Sequence, residues 1–194
     1  MAEILSIPEP DIRVVAFRIA GTAPLITHKW SDKNKTDIIE KQQKAPSKGR
    51  PVRDPQAEYE ASIYYCSDGG YGVLAIAFRQ AMVRAAKQTG MAMTDARTAF
   101  HVLADSQDLV RIDGEPSMRQ DMVRIGRGVA DIRFRAQFVE WGATVNIRYN
   151  ATTISAAQLA NLLMIAGFSV GVGDWRPERS GQFGTFCIIK EDSE

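Results

Sequence analysis

Apolar and polar residues change their spacing several times along this chain, and each change marks an element. From Asp11 to Ala20, "DIRVVAFRIA" mixes β-branched and aromatic residues with isolated arginines, the pattern of a central strand buried on much of both faces. A long polar stretch follows, "GTAPLITHKWSDKNKTDIIEKQQKAPSKGRPVRDPQ", in which the spacing predicts only a short helix from Asp32 to Gln43, capped by Ser31. The glycines of "YCSDGGYGV" mark a turn. "LAIAFRQAMVRAAKQTG" then reads as a helix ended by Gly90, with Phe78, Met82 and Ala85 or Ala86 as its apolar stripe and Arg79, Arg84 and Lys87 on its wet side.

A second helical turn begins at Thr94, after which the period shortens to two. "LVRID", "SMRQDMVRI", "ADIRFRAQFV" and "ATVNIRYN" read as successive strands, the last two joined in a hairpin by "EWG". Ile132, Phe134, Ala136 and Phe138 fall on one side and Arg133, Arg135 and Gln137 on the other; Val145, Ile147 and Tyr149 likewise oppose Asn146 and Arg148. One face of this hairpin is expected to be apolar and the other open and basic. Ser155 caps "AAQLANLLMIAG", an apolar helix through Leu159, Leu162, Leu163 and Ile165 with Gly167 at its end, and "QFGTFCIIK" is a last strand. Strand, insertion, helix, hairpin, helix, strand is the βαββαβ order of an α+β, ferredoxin-like domain. The expectation is one elaborated domain over 1–194, with an extra β-hairpin between Leu109 and Ile125 and with 21–57 a basic, mobile insertion.

Composition narrows the function classes. The 194 residues are 45% hydrophobic and 24% charged with a net charge of +1, so any nucleic-acid surface must come from local clustering of charge. Such clustering exists: Lys29, Lys33, Lys35, Lys41, Lys44, Lys48, Arg50 and Arg53 crowd one stretch. Cys66 and Cys187 are far apart, and His28 and His101 lack nearby ligand partners, so the sequence offers neither a disulfide framework nor a zinc spacing, and no metal or other cofactor is implied. No signal segment or apolar run of membrane-spanning length is evident. A cytoplasmic protein with no membrane partner is the expectation.

The chemistry concentrates in "GVGDWRPERSGQFGTF", residues 171 to 186. Gly171, Gly173, Gly181 and Gly184 could shape a loop whose amides meet phosphate, with Arg176 and Arg179 as charged donors and Trp175 as a stacking plane. The stretch is no Walker loop, since no Gly-Lys-Ser/Thr ends it and a strand follows. A last helix running into a glycine-rich, arginine-bearing loop and a final strand, "AGFSVGVGDWRPERSGQFGTF", resembles the RAMP superfamily, the repeat-associated RNA-binding proteins of CRISPR systems. The resemblance covers roughly Asp131 to Lys190, with "DWRPE" departing from the arginine-serine-glycine pattern of that family's loop. The chain also resembles phage and prophage proteins, which fits a free-standing relative.

That resemblance implies backbone recognition of single-stranded RNA or DNA, with protomers side by side along the strand as a homo-oligomer. Arg133, Arg135 and Arg148 on the open sheet face, with Lys29 from the insertion, would extend the track from the loop. Catalysis ranks lower. His28, in a loop after the first strand and next to Lys29 and Trp30, is the one candidate for a RAMP-like endoribonuclease; His101, beside Phe100, reads as a partly buried, satisfied residue. The alternative from another class is a phage interaction or assembly protein that uses the same fold without nucleic acid.

Overall fold

The computed structural model describes residues 9–29, 39, 53–125 and 129–189. In chain order its elements are β1 (Ile12–Gly21), β2 (Leu25–Thr27), α1 (Pro55–Ala61), β3 (Tyr71–Leu74), α2 (Ala75–Ala85), α3 (Met93–Ala99), β4 (Phe100–Val102), β5 (Leu109–Asp113), β6 (Pro116–Ile125), β7 (Val129–Phe138), β8 (Gly142–Asn150), α4 (Ala156–Ser169) and β9 (Phe186–Ile188). The fold is α+β with antiparallel sheets. One sheet runs β3-β5-β8-β1-β9, with β4 also on β8, and a smaller one runs β2-β7-β6. Apart from Ile39, the expected helix from Asp32 to Gln43 lies outside the described residues, as does most of the lysine-rich run.

Local signals set the helix ends. Asp54 accepts from the N–H groups of Gln56 and Ala57 with Pro55 in the first turn of α1, and Gly90 takes the left-handed conformation just past the 3-10 turn Ala86–Thr89 that continues α2. Ser155 and Gln158 form a capping box at α4, each side chain bonding the other's backbone N–H. Ser155→Ala is expected to cost about 1 kcal/mol, read as a lower urea midpoint with an unchanged slope.

Both long helices, α2 and α4, pack on each other, and their apolar faces meet the larger sheet in a core that includes Phe78, Met82, Leu159, Leu163, Ile19, Val145, Ile147 and Phe186. β1 is central, between β8 and β9, but it is covered on one face and not on much of both, with Ala16 and Arg18 of its second half exposed too. Ile12 and Val14 are 52% and 58% exposed, because the helices cover one face of the sheet and alternate side chains of β1 point away from them.

The expected β7–β8 hairpin does not form. β7 pairs along its whole length with β6, from Pro116↔Phe138 to Ile125↔Val129, whereas β8 pairs with β1, β4 and β5. β5 runs into β6 and β7 into β8, so one long hairpin bends from the larger sheet into the smaller. At the bend Gly114 and Glu115 face Val139, Glu140 and Trp141, one residue more on the second strand, a bulge that kinks the ladder. Trp141, read as part of a turn, is buried; its indole N–H donates to the Ala23 carbonyl at 2.9 Å, its own carbonyl accepts from Gly21 at 2.8 Å, and its ring stands edge-on to Phe186. A large aromatic with these partners is an anchor between β1, β9 and the bend.

Two further boundaries shift. α4 continues past Gly167 to Ser169; a Cβ at 167 would lie 2.1 Å from the Phe186 carbonyl oxygen, so the glycine serves close helix–strand packing and not a cap. β9 is confined to Phe186–Ile188, pairing with Gly21 to Ile19 of β1, because the residues before it belong to the glycine-rich loop.

Candidate nucleic-acid interface

Loop 170–185 leaves α4, crosses the end of β2 and returns into β9. Asp174 N–H donates to Ile26 O at 2.9 Å, Gly184 N–H to Pro24 O at 2.8 Å, Val172 N–H to Gly184 O at 2.9 Å and Phe183 N–H to Trp175 O at 3.1 Å. Gly171 and Gly181 likewise donate inward, to Ala166 O and Arg176 O. The amides of Gly171, Gly181 and Gly184, expected from sequence to face phosphate, are taken by carbonyls of α4, the loop itself and Pro24. Gly184 combines a tight approach with a left-handed backbone: its φ is +66°, and a Cβ there would lie 1.8 Å from the Val172 carbonyl oxygen.

The loop presses Trp175 onto the smaller sheet. Trp175 has φ +52°, a conformation that costs a bulky residue about 1–3 kcal/mol and persists only where surrounding contacts hold it. The Arg135 guanidinium lies 4.6 Å from the centre of its ring, and Phe183 lies beside it at 6.1 Å. Arg119 stacks on Phe183 at 4.7 Å. Register explains the grouping: Arg119 is opposite Arg135 and Ser117 opposite Gln137 on β6 and β7, so these side chains share one face of the sheet.

Arg135 is therefore not on an open face. It is 4% exposed, with Nη1 donating to Asp174 Oδ2 at 2.8 Å and Nη2 to Asp121 Oδ2 at 3.0 Å. A cation buried this deeply needs paired, hydrogen-bonded carboxylates, and β6 and the loop each bring one. Asp121 also accepts from Arg119 Nε at 2.8 Å, and Arg119 Nη1 reaches Gln137 Oε1 at 3.0 Å. On the rim, His28 Nδ1 stands 3.4 Å from Asp174 Oδ2. Sequence reasoning missed Arg119, Asp121 and Asp174. The Arg119-x-Asp121 spacing signals a same-face pair on a strand, but nothing local foretells Asp174 arriving from 39 positions away.

The remaining predicted residues divide. Arg176 is tied down, its guanidinium bonded to Glu178 and to the Gly173 carbonyl; Arg84, expected on a wet helix face, joins the same Glu178 at 2.7 Å. Arg179 is exposed and makes no ion pair among the described residues. Arg133 is part-exposed beside Asp131, which Arg53 also holds. Lys29 follows β2, its N–H on Ser62 O. Arg148 lies on the larger sheet, opposite Val14 and next to His101, so the hairpin arginines do not form one track. His101 is exposed, since β4 turns it to the uncovered face.

Protonation follows the packing. Burial works against the charged form of Asp174, but hydrogen bonds from His28 and Arg135 outweigh it and hold this carboxyl below the usual range. A depressed carboxylate stabilises the fold above its unfolded value, about 4, and the contribution is lost as pH falls through the lower folded value. The expected result is that the loop's contacts loosen below about pH 4, seen as a change in the Trp175 indole resonance that Asp174→Asn removes from that window. Burial raises the Tyr64 hydroxyl, with Asp174 adding to it. Burial also pushes the Cys66 thiol up to about 11, with Asp105 and Asp68 adding, which leaves it a poor nucleophile at neutral pH.

No protein-family description matches the chain, and no curated protein matches it. Among solved structures it is similar to the crystal structure of Cmr6 from Pyrococcus furiosus, with a TM-score of 0.48 and 8% sequence identity over 96% of this chain and 100% of that one. No helix among the described residues is long and apolar enough to cross a membrane.

Proposed function

We propose that this chain binds single-stranded nucleic acid without cleaving it, as a ferredoxin-like, RAMP-type protein acting in the cytoplasm. The observation that carries this reading is Trp175, held in a strained conformation on a guanidinium and beside a second aromatic ring. Such a plane, fixed in advance, suits stacking on an unpaired base. The strand order β9-β1-β8-β5 with α2 and α4 on one side supports the βαββαβ reading, in which the bent hairpin is an elaboration of one domain over 1–194.

The roles then differ from residue to residue. Trp175 stacks; Arg179, Arg133 and Lys29 approach phosphates. Arg135 and Arg176, whose donors are taken by carboxylates and carbonyls, are positioning residues, as are Gly171, Gly173 and Gly181. Arg148 would contact a strand only where it crosses the larger sheet. Protomers side by side would extend the site along a longer strand.

The test is an anisotropy titration of labelled single-stranded RNA and DNA at low and moderate salt. Affinity is expected to fall with salt, and Lys29→Ala/Arg179→Ala to flatten that dependence by about 0.7 in log-log slope for each phosphate that is no longer neutralised. No binding to either strand at low salt would leave the interaction-protein reading in its place. One observation favours a second reading, an endoribonuclease: Asp174 orients His28 through Nδ1, the arrangement of a general base. Cleavage of RNA but not DNA, lost in His28→Ala, would establish it.

A further inference from the structure

The uncovered face of the larger sheet carries a cleft of about 370 Å³. It arises from an interruption in pairing. On the outer edge of β8 the β5 ladder ends at Ala143 and the β4 ladder begins at Ile147, so Thr144 to Asn146 have no strand alongside them. Residues 103–108 cross the gap, anchored by Leu103 N–H on Asn146 O and turned by Asp108 at φ +61°. At the far end Arg18 reaches over β8, donating to Thr144 Oγ1 at 3.3 Å and to Asp113 Oδ2 at 2.5 Å. That bridge joins β1 to β5, strands that do not pair, at one end of the cleft.

The lining says what would fit. Leu103, Ala104 and Leu109 give apolar walls, while Asn146 offers an amide with a donor and an acceptor side by side. Its charges are already spoken for. Arg18 is matched by Asp113, Arg111 by Asp68, and the Asp105 carboxylate takes the N–H groups of Ser67, Gln107 and Leu109. With both guanidiniums matched by carboxylates and Asp105 negative, the cleft offers no unmatched cation to select a phosphate or a carboxylate. Its volume is at the small end of ligand sites, about 300–1,000 Å³, which admits one ring system. From this we infer that the cleft between β4 and β5 binds a single nucleobase, flat against Leu103 and Leu109, with its donor–acceptor edge read by Asn146. The base is either that of a free nucleoside or one of a strand, and the inference stands apart from the loop on the smaller sheet.

The test is a two-dimensional amide NMR titration of the full chain with adenosine, cytidine, guanosine and uridine in turn, and with a short single-stranded oligonucleotide. Saturable shifts at Leu103, Thr144 and the Asn146 side-chain amide with a nucleoside would place a free base in the cleft. The same shifts with the oligonucleotide alone would place a strand's base there. In either case Asn146→Leu, at an exposed position, is expected to leave the rest of the spectrum intact and to weaken the cleft response at least tenfold. Cleft resonances that stay still with every probe, or shifts that Asn146→Leu leaves unchanged, would overturn the inference. Resonances of Trp175 and Arg179 in the same spectra report the loop separately.

Discussion

Arg135→Ala is expected to remove roughly 3 kcal/mol from the unfolding free energy, the lower end for breaking a buried pair, because it leaves the buried Asp121 with Arg119 alone and Asp174 with His28 alone. For a chain of this size about 2–4 °C of melting temperature accompanies each kcal/mol, so calorimetry should register a fall on the order of 10 °C. The cause can be separated from simple loss of packing. Adding Asp121→Ala to Arg135→Ala removes the buried carboxylate that has lost one of its two cations, and the double variant is expected to be more stable than the single one. Equal stability would mean that Asp121 finds water once Arg135 is gone, and a loss below about 1 kcal/mol would mean that the pair behaves as an exposed one.

Gly184→Ala is the second large effect, and its origin is steric. The left-handed conformation costs a side-chain-bearing residue about 1–2 kcal/mol, and forcing a Cβ against the Val172 carbonyl adds about 1–3 kcal/mol of overpacking. The new Cβ would meet backbone, so no rotamer change relieves it. Denaturant unfolding should show a midpoint well below the wild type, together with loss of the Val172 N–H bond to Gly184, seen as faster amide exchange at Val172. A variant as stable as wild type would show that the loop can open at this point without cost.

Elements carried by local periodicity were legible in the sequence. α2 with its Gly90 stop, the Ser155 cap, and strands β5 to β8 follow from spacing and capping chemistry within a few residues. What local pattern could not supply was partnership. "EWG" and the Gly-Arg-Gly of 126–128 both sit between alternating runs, and only the burial of Trp141 and the full-length pairing of β6 with β7 decide between them. A tryptophan inside a supposed three-residue turn was the available signal, since turn positions favour small or polar residues.

The site shows the same division. Alternation put Arg133, Arg135 and Gln137 on one side of β7 correctly, yet alternation alone assigns such a face to solvent. It was the loop that covered Arg135, and that packing joins segments far apart in sequence. The glycine-rich stretch was recognisable as a special loop, but the amides of Gly171, Gly181 and Gly184 are taken by carbonyls, and its arginines split between Arg176, held by Glu178, and Arg179, exposed. The near-neutral net charge has a physical counterpart in these pairings, which among the described residues leave few cations free near Trp175.

Base stacking on Trp175 is the central claim, and its own fluorescence reads it most directly. In a Trp30→Phe background, Trp141 is buried behind the bend and contributes a constant signal, so titration with a single-stranded oligonucleotide reports Trp175. Saturable quenching that tracks binding by anisotropy, and that disappears in Trp175→Phe, is the predicted result. Binding that leaves the emission unchanged, or no binding at low salt, would contradict it.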